Sequence, residues 1–98
     1  MTIARSEGQF TATGQSAPVQ LIGPFNVTLA GSFAGTVKLE RSFDAGATWH
    51  VVSRDAAGEA AAFTQPASLV GEEWERGVLY RLNCTAHSSG TVAYRVSQ

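Results

Sequence analysis

The chain has 98 residues, 44% of them hydrophobic and only 15% charged, with a formal net charge of −1. That length supports one domain with one core, and the charge content lies well under the roughly 25% of an average soluble domain. So neutral a surface is ill-suited to phosphate backbones, which excludes nucleic acid as the expected partner. It is suited to burial against other protein, so a homo-oligomer or a larger assembly is expected.

Residues 1–8 read as a flexible N-terminal arm ahead of a single domain over 9–98. They hold no apolar segment of the signal-peptide kind, and no run in the chain reaches the roughly 18 apolar residues of a membrane helix, so neither is expected. Without a leader, the glycosylation sequons at Asn26 and Asn83 read as chance matches. The first expected strand is Gln9–Thr13. The second is Val19–Leu29, bent at Gly23-Pro24, with Phe25, Val27 and Leu29 alternating against Asn26, Thr28 and Ala30. Gly31 and Gly35 mark the turn into a third strand, Thr36–Phe43. There Val37, Leu39 and Phe43 share a face with Arg41, the one charge expected to point inward, while Lys38, Glu40 and Ser42 take the other face.

Residues 42–49 read Ser-Phe-Asp-Ala-Gly-Ala-Thr-Trp. Asp44 starts a tight turn and accepts from the amides that follow it, Gly46 supplies a positive φ, and Thr48 and Trp49 open the return strand. The pattern Ser-x-Asp-x-Gly-x-Thr-Trp resembles the Asp-box of sialidases and related propellers. In those families the box is a scaffold element away from the chemistry, so Ser42, Asp44, Gly46, Thr48 and Trp49 are expected to form a structural hairpin with Trp49 folded onto it. A sialidase itself is excluded. A propeller blade takes roughly 40–50 residues and several are needed, and nothing in the sequence gathers Arg41, Arg81 and Arg95 into a cluster.

The return strand is expected over Thr48–Ser53, followed by a turn at Asp55–Gly58. Ala56–Ala62 is too short and too interrupted by Gly58 for a helix, and reads as a loop entering a strand at Ala61–Pro66. Glu72-Glu73-Trp74-Glu75 reads as a solvated loop, or as a frame for Trp74 acting as an interface anchor or a sugar-stacking platform. The next strand, Val78–Thr85, turns Val78, Tyr80, Leu82 and Cys84 inward. Ser88-Ser89-Gly90 closes a hairpin with the last strand, Thr91–Ser97, in which Val92, Tyr94 and Val96 point inward.

Seven short strands predict an all-β antiparallel sandwich. An immunoglobulin- or fibronectin-like order is expected, with a small jelly roll as the alternative, since periodicity leaves strand order open. The segment 75–82 resembles the entry to the penultimate strand of such domains. The resemblance implies that Tyr80 hydrogen-bonds back to the preceding loop as a tyrosine corner, with Cys84 as a small inward residue. The lack of a second cysteine and of a core tryptophan in mid-strand moves the likeness toward the fibronectin-like branch.

No constellation for chemistry emerges. His50 and His87 are isolated, Cys84 reads as an inert buried thiol, and no metal-ligand spacing or phosphate loop is present, so no enzyme activity, metal or cofactor is expected.

The stretches Phe25–Phe33, Gly35–Trp49, Gly77–Leu82 and Ser89–Gln98 are similar to small proteins of tailed bacteriophages and prophage-like elements. This likeness implies a virion structural protein made in a host cytoplasm, most of all a decoration or cement protein on the capsid. Its partners would be the major capsid protein or other virion proteins. A place at the head–tail junction or tail, or a carbohydrate-binding adhesive module, is the alternative.

Overall fold

The computed structural model describes residues 5–52 and 62–98, and every regular element in them is a strand. In chain order these are β1 Arg5–Phe10, β2 Gly14–Gln15, β3 Val19–Gln20, β4 Gly23–Ala30, β5 Phe33–Ser42, β6 His50–Val51, β7 Ala62–Phe63, β8 Ala67–Glu73, β9 Leu79–Gly90 and β10 Val92–Ser97. They form two antiparallel sheets. The first has the order β1-β10-β4-β8. In the second, β9 and β5 pair along the centre, β2 and β3 share the far edge of β9, and β6 and β7 share the far edge of β5.

The two sheets repeat one order. Each strand of the first sheet is continuous in the chain with its counterpart in the second: β1 with β2, β4 with β5, β7 with β8, and β9 with β10. Strands that change sheet at a bend make the corners of such sandwiches. This wrap is the jelly-roll order, so the strand arrangement selects that alternative over the immunoglobulin- or fibronectin-like one. The corner is tightest where β4 passes into β5 beside the passage of β9 into β10. Thr91 donates its N–H to the Ser32 carbonyl across 3.3 Å there. Gly90 has φ +81° and Gly31 φ +99°. A methyl group on either would lie 2.0 Å from Ser32 O or 2.5 Å from Thr91 O, closer than any side chain allows. Ser88-Ser89-Gly90 is therefore no hairpin turn: β9 runs through to Gly90, and β10 belongs to the other sheet.

Other expectations change in the same light. Arg5–Gly8, expected in the flexible arm, pair with Tyr94–Ser97 as part of β1. Burial of Ser6 and its bond to the Ala17 carbonyl, 2.8 Å, hold that strand down. The bend at Gly23-Pro24 is a change of sheet, with β3 on one and β4 on the other. Residues 67–73 form a strand that alternation did not mark. Leu69 and Gly71 turn inward while Val70 faces solvent, and the ring of Phe25 takes the space a side chain at Gly71 would need, 2.7 Å from its Cβ position. The turn expected at Asp55–Gly58 lies outside the described residues.

Between the sheets lie Phe25, Val27 and Leu29 of β4, Val37 and Leu39 of β5, Val78 ahead of β9, Tyr80, Leu82 and Cys84 of β9, and Val92 and Val96 of β10, with Phe10, Leu21 and Phe63 closing the rim. Burial of each of the larger ones stabilises the fold by about 1.5–3 kcal/mol. Tyr94, half-buried, stacks on Phe10 with ring centroids 4.6 Å apart. Burial also pushes the Cys84 thiol above its usual pKa, which leaves it a poor nucleophile.

Candidate functional site

The octapeptide 42–49 is the whole connection between Arg41 and His50, which face each other across β5 and β6. The buried Ser42 hydroxyl donates to Asp44 Oδ1 at 2.7 Å and accepts from the Gly46 N–H at 2.9 Å. Asp44 Oδ1 also accepts the Thr48 N–H at 2.8 Å, and the Ala47 N–H reaches the Asp44 carbonyl at 3.3 Å. Ala45 and Gly46 have φ of +59° and +94°, the signs of a type I′ turn within the connection. The Ser42 hydroxyl and then the Thr48 N–H hold the Asp44 carboxyl down at a pKa of about 2. Trp49 is half-buried and donates its indole N–H to the Gly46 carbonyl at 3.0 Å.

The hairpin lies on the outer face of the second sheet. The Arg81 guanidinium sits 4.2 Å from the Trp49 ring centroid. Arg81 Nε meets Glu40 Oε1 at 2.8 Å, and Asn83 donates to Glu40 Oε2 at 3.2 Å. Glu40 and Ser42, expected on the outer face, are on it but buried beneath this layer. The octapeptide is thus hydrogen-bonded within itself and packed on the sheet through Trp49. Removing its central hydroxyl tests this account: Ser42→Ala strands the Gly46 N–H and is expected to cost about 2 kcal/mol, a fall in Tm of roughly 10 °C by thermal unfolding.

At the end away from the glycine corner, the inward Arg41 finds its partner. Arg41 Nη1 meets Glu73 Oε1 at 2.7 Å, and the Tyr80 hydroxyl donates to the same oxygen at 2.8 Å. Glu73 Oε2 accepts the Glu75 N–H at 3.1 Å. Burial alone would raise the pKa of Glu73. The Glu75 N–H, the Tyr80 hydroxyl and Arg41 together outweigh burial and hold the carboxyl below the usual carboxylate range. Burial, and then the hydrogen bond to Glu73 and its charge, outweigh the lowering by Arg41 and push Tyr80 up to about 12. Tyr80 is therefore no tyrosine corner of the expected kind: its partner is a side chain at the end of β8, in the segment read as a solvated loop. The knot ties β5, β8 and β9 together where the sheets meet, and all its groups are engaged with one another.

Above this knot, a cleft of about 720 Å³ opens between β8 of one sheet and β6 of the other. Phe25, Leu39 and Leu69 form its floor, with Phe43, Val51 and Val70 at the rim beside Arg41 and His50. Phe43, expected inward, is 49% exposed; its ring packs against the Arg41 guanidinium, 4.8 Å from the centroid. The exposed large hydrophobics among the described residues are Ile22, Phe43, Val51, Val70 and Trp74. Three line the cleft, and the ring of Trp74 lies 4.0 Å from the Cβ position of Gly23, the residue after Ile22. Trp74 is 69% exposed, with its indole N–H on Glu72 Oε2 at 3.1 Å.

His50 is exposed in β6, and His87 lies in β9 with a ring nitrogen 2.8 Å from the Gly90 carbonyl; the structure does not bring them together. Among the described residues no group of histidine, cysteine and carboxylate side chains is placed to hold a metal ion. No family model matches the chain, and neither does any curated protein or solved structure.

Proposed function

We propose that the protein is a non-enzymatic structural component of a tailed-phage particle, most of all a capsid decoration or cement protein that binds the assembled shell. The observation that carries this reading is the exposure of five large hydrophobics, Ile22, Phe43, Val51, Val70 and Trp74, three of which, Phe43, Val51 and Val70, line one cleft. Apolar side chains so exposed mark surfaces that other protein covers, and a tryptophan is the most frequent anchor of such contacts. The low charge of the chain lessens the cost of covering the rest. The likeness of residues 25–98 to small phage virion proteins supplies the kind of partner. Many copies on one shell would each add a modest interface, and avidity would make the sum strong.

The test is cosedimentation of the purified protein with particles, emptied heads and isolated tails of a tailed phage that encodes it. Saturable binding to heads, in fixed ratio to coat subunits, is expected. Trp74→Ala is expected to weaken it at least tenfold while leaving Tm unchanged, because the ring is in solvent. Binding to tails alone would move the protein to the tail apparatus, and binding to none would overturn the reading. The exposure of Trp74 also favours a second reading, a sugar-stacking platform with the Glu72 carboxylate beside it. Glycan-array binding that Trp74→Ala abolishes, with no binding to particles, would select that one.

A further inference from the structure

The outer face of the first sheet carries a feature that the exposed hydrophobics do not explain. Asn26 and Thr28 of β4, Ser68 of β8, and Arg95 and Ser97 of β10 line a trough of about 200 Å³. The strand register places them together: Arg95 faces Thr28, Thr28 faces Ser68, and Ser97 faces Asn26. Thr28 Oγ1 and Ser68 Oγ are bonded to each other at 2.8 Å, which leaves one of their two protons to point elsewhere. The side chains of Arg95, Asn26 and Ser97 have no hydrogen-bond or ion-pair partner among the described residues. Glu7, across from Arg95 on β1, instead pairs with Arg5 at 3.4 Å. No carboxylate lines the trough. It is a set of groups able to donate around one guanidinium that has no ion-pair partner among the described residues, on a chain whose net charge is −1.

We propose that this trough is an oxyanion site that receives a carboxylate presented by a partner protein. A guanidinium offers two parallel N–H groups to a carboxylate, and neutral amide and hydroxyl donors on either side can take up its remaining lone pairs. The volume, about 200 Å³, is below the roughly 300 Å³ at which pockets for whole small molecules begin. The site recognises a charged group on a larger body rather than a free metabolite.

Sodium acetate and sodium sulfate, titrated against sodium chloride at constant ionic strength, test this by two-dimensional amide NMR of the intact chain. Acetate is expected to shift the signals of residues 26, 28, 68, 95 and 97 saturably, with sulfate following and chloride inert. Arg95→Gln is expected to weaken the response at least tenfold. Asn26→Asp, which puts a carboxylate of the chain itself in the trough, is expected to abolish it with Arg95 still present. Arg76→Gln removes the same charge from an exposed loop and is expected to leave it unchanged. Shifts that grow linearly without saturating, or that survive Arg95→Gln, would overturn the site. Saturation by sulfate alone would overturn the assignment to a carboxylate.

Discussion

Gly90→Ala is expected to cost at least about 3 kcal/mol, whereas Gly77→Ala is expected to cost only about 1–2 kcal/mol. Both add one methyl group to one sandwich. At Gly90 the backbone has φ +81°, where a side chain costs roughly 1–2 kcal/mol on its own. The new methyl would also lie 2.0 Å from Ser32 O and 2.8 Å from Phe33 Cα. Those are backbone atoms of the opposing bend, so no flexible side chain can swing aside, and relief requires the two bends to part. At Gly77 φ is +82°, so the same backbone cost applies, but nothing lies within 4 Å of the Cβ position. Urea denaturation of the two variants measures the difference. Similar losses at both would mean that the close approach of β4–β5 to β9–β10 is not what sets the corner.

That corner also explains how the sequence is legible in some places and silent in others. The alternation of Phe25, Val27 and Leu29 with Asn26 and Thr28 is a local property, and β4 follows it residue by residue. Gly31 and Gly90 are equally visible as breaks. A glycine that lets a strand reverse within one sheet and a glycine that lets it bend into the other leave the same mark, however, so an immunoglobulin-like order and a jelly roll read alike. In β8 the local signal is inverted. Val70 is outward because it pairs with the outward Asn26, and Gly71 is inward because it pairs with Phe25, whose ring fills the place of a side chain there. The one inward charge, Arg41, was a usable clue, since a cation among core residues implies an acceptor. Its acceptor lay 32 positions away in a run of glutamates that otherwise reads as solvated. The exposed hydrophobics were visible only as Trp74, because exposure of Phe43, Val51 and Val70 depends on which strands become edges.

Glu73→Ala is expected to lower stability by about 3 kcal/mol, and the acid limb of the stability profile is expected to flatten with it. The carboxylate satisfies the Tyr80 hydroxyl, 2.8 Å away, and Arg41, 2.7 Å away. Tyr80 is 2% exposed, so its hydroxyl would lose its acceptor with little water to replace it. The Arg41 side chain is 38% exposed, and water would screen part of its orphaned charge, which places the loss at the low end of the range for a broken buried pair. Glu73→Gln keeps the shape and one acceptor, and is expected to lose about half as much. The pH dependence follows from the direction of each shift. Glu73 and Asp44 titrate lower in the folded chain than in the unfolded one, Asp44 falling from 3.8 to about 2. The unfolded state therefore takes up protons first, and the stability these carboxylates confer is present above their unfolded values and lost as pH falls through their folded ones. Tyr80 has the opposite shift, from 10.0 up to about 12, so its contribution is whole below the lower value and is lost as pH rises through the upper. Urea midpoints measured across the acid range should fall steeply in the parent and less in Glu73→Gln. On the alkaline side, Tyr80→Phe should remove the decline above pH 10 that Tyr80 ionisation causes. Parallel acid limbs in the parent and Glu73→Gln would show that the charge of Glu73 contributes nothing to holding β5, β8 and β9 together, and that packing at that end acts alone.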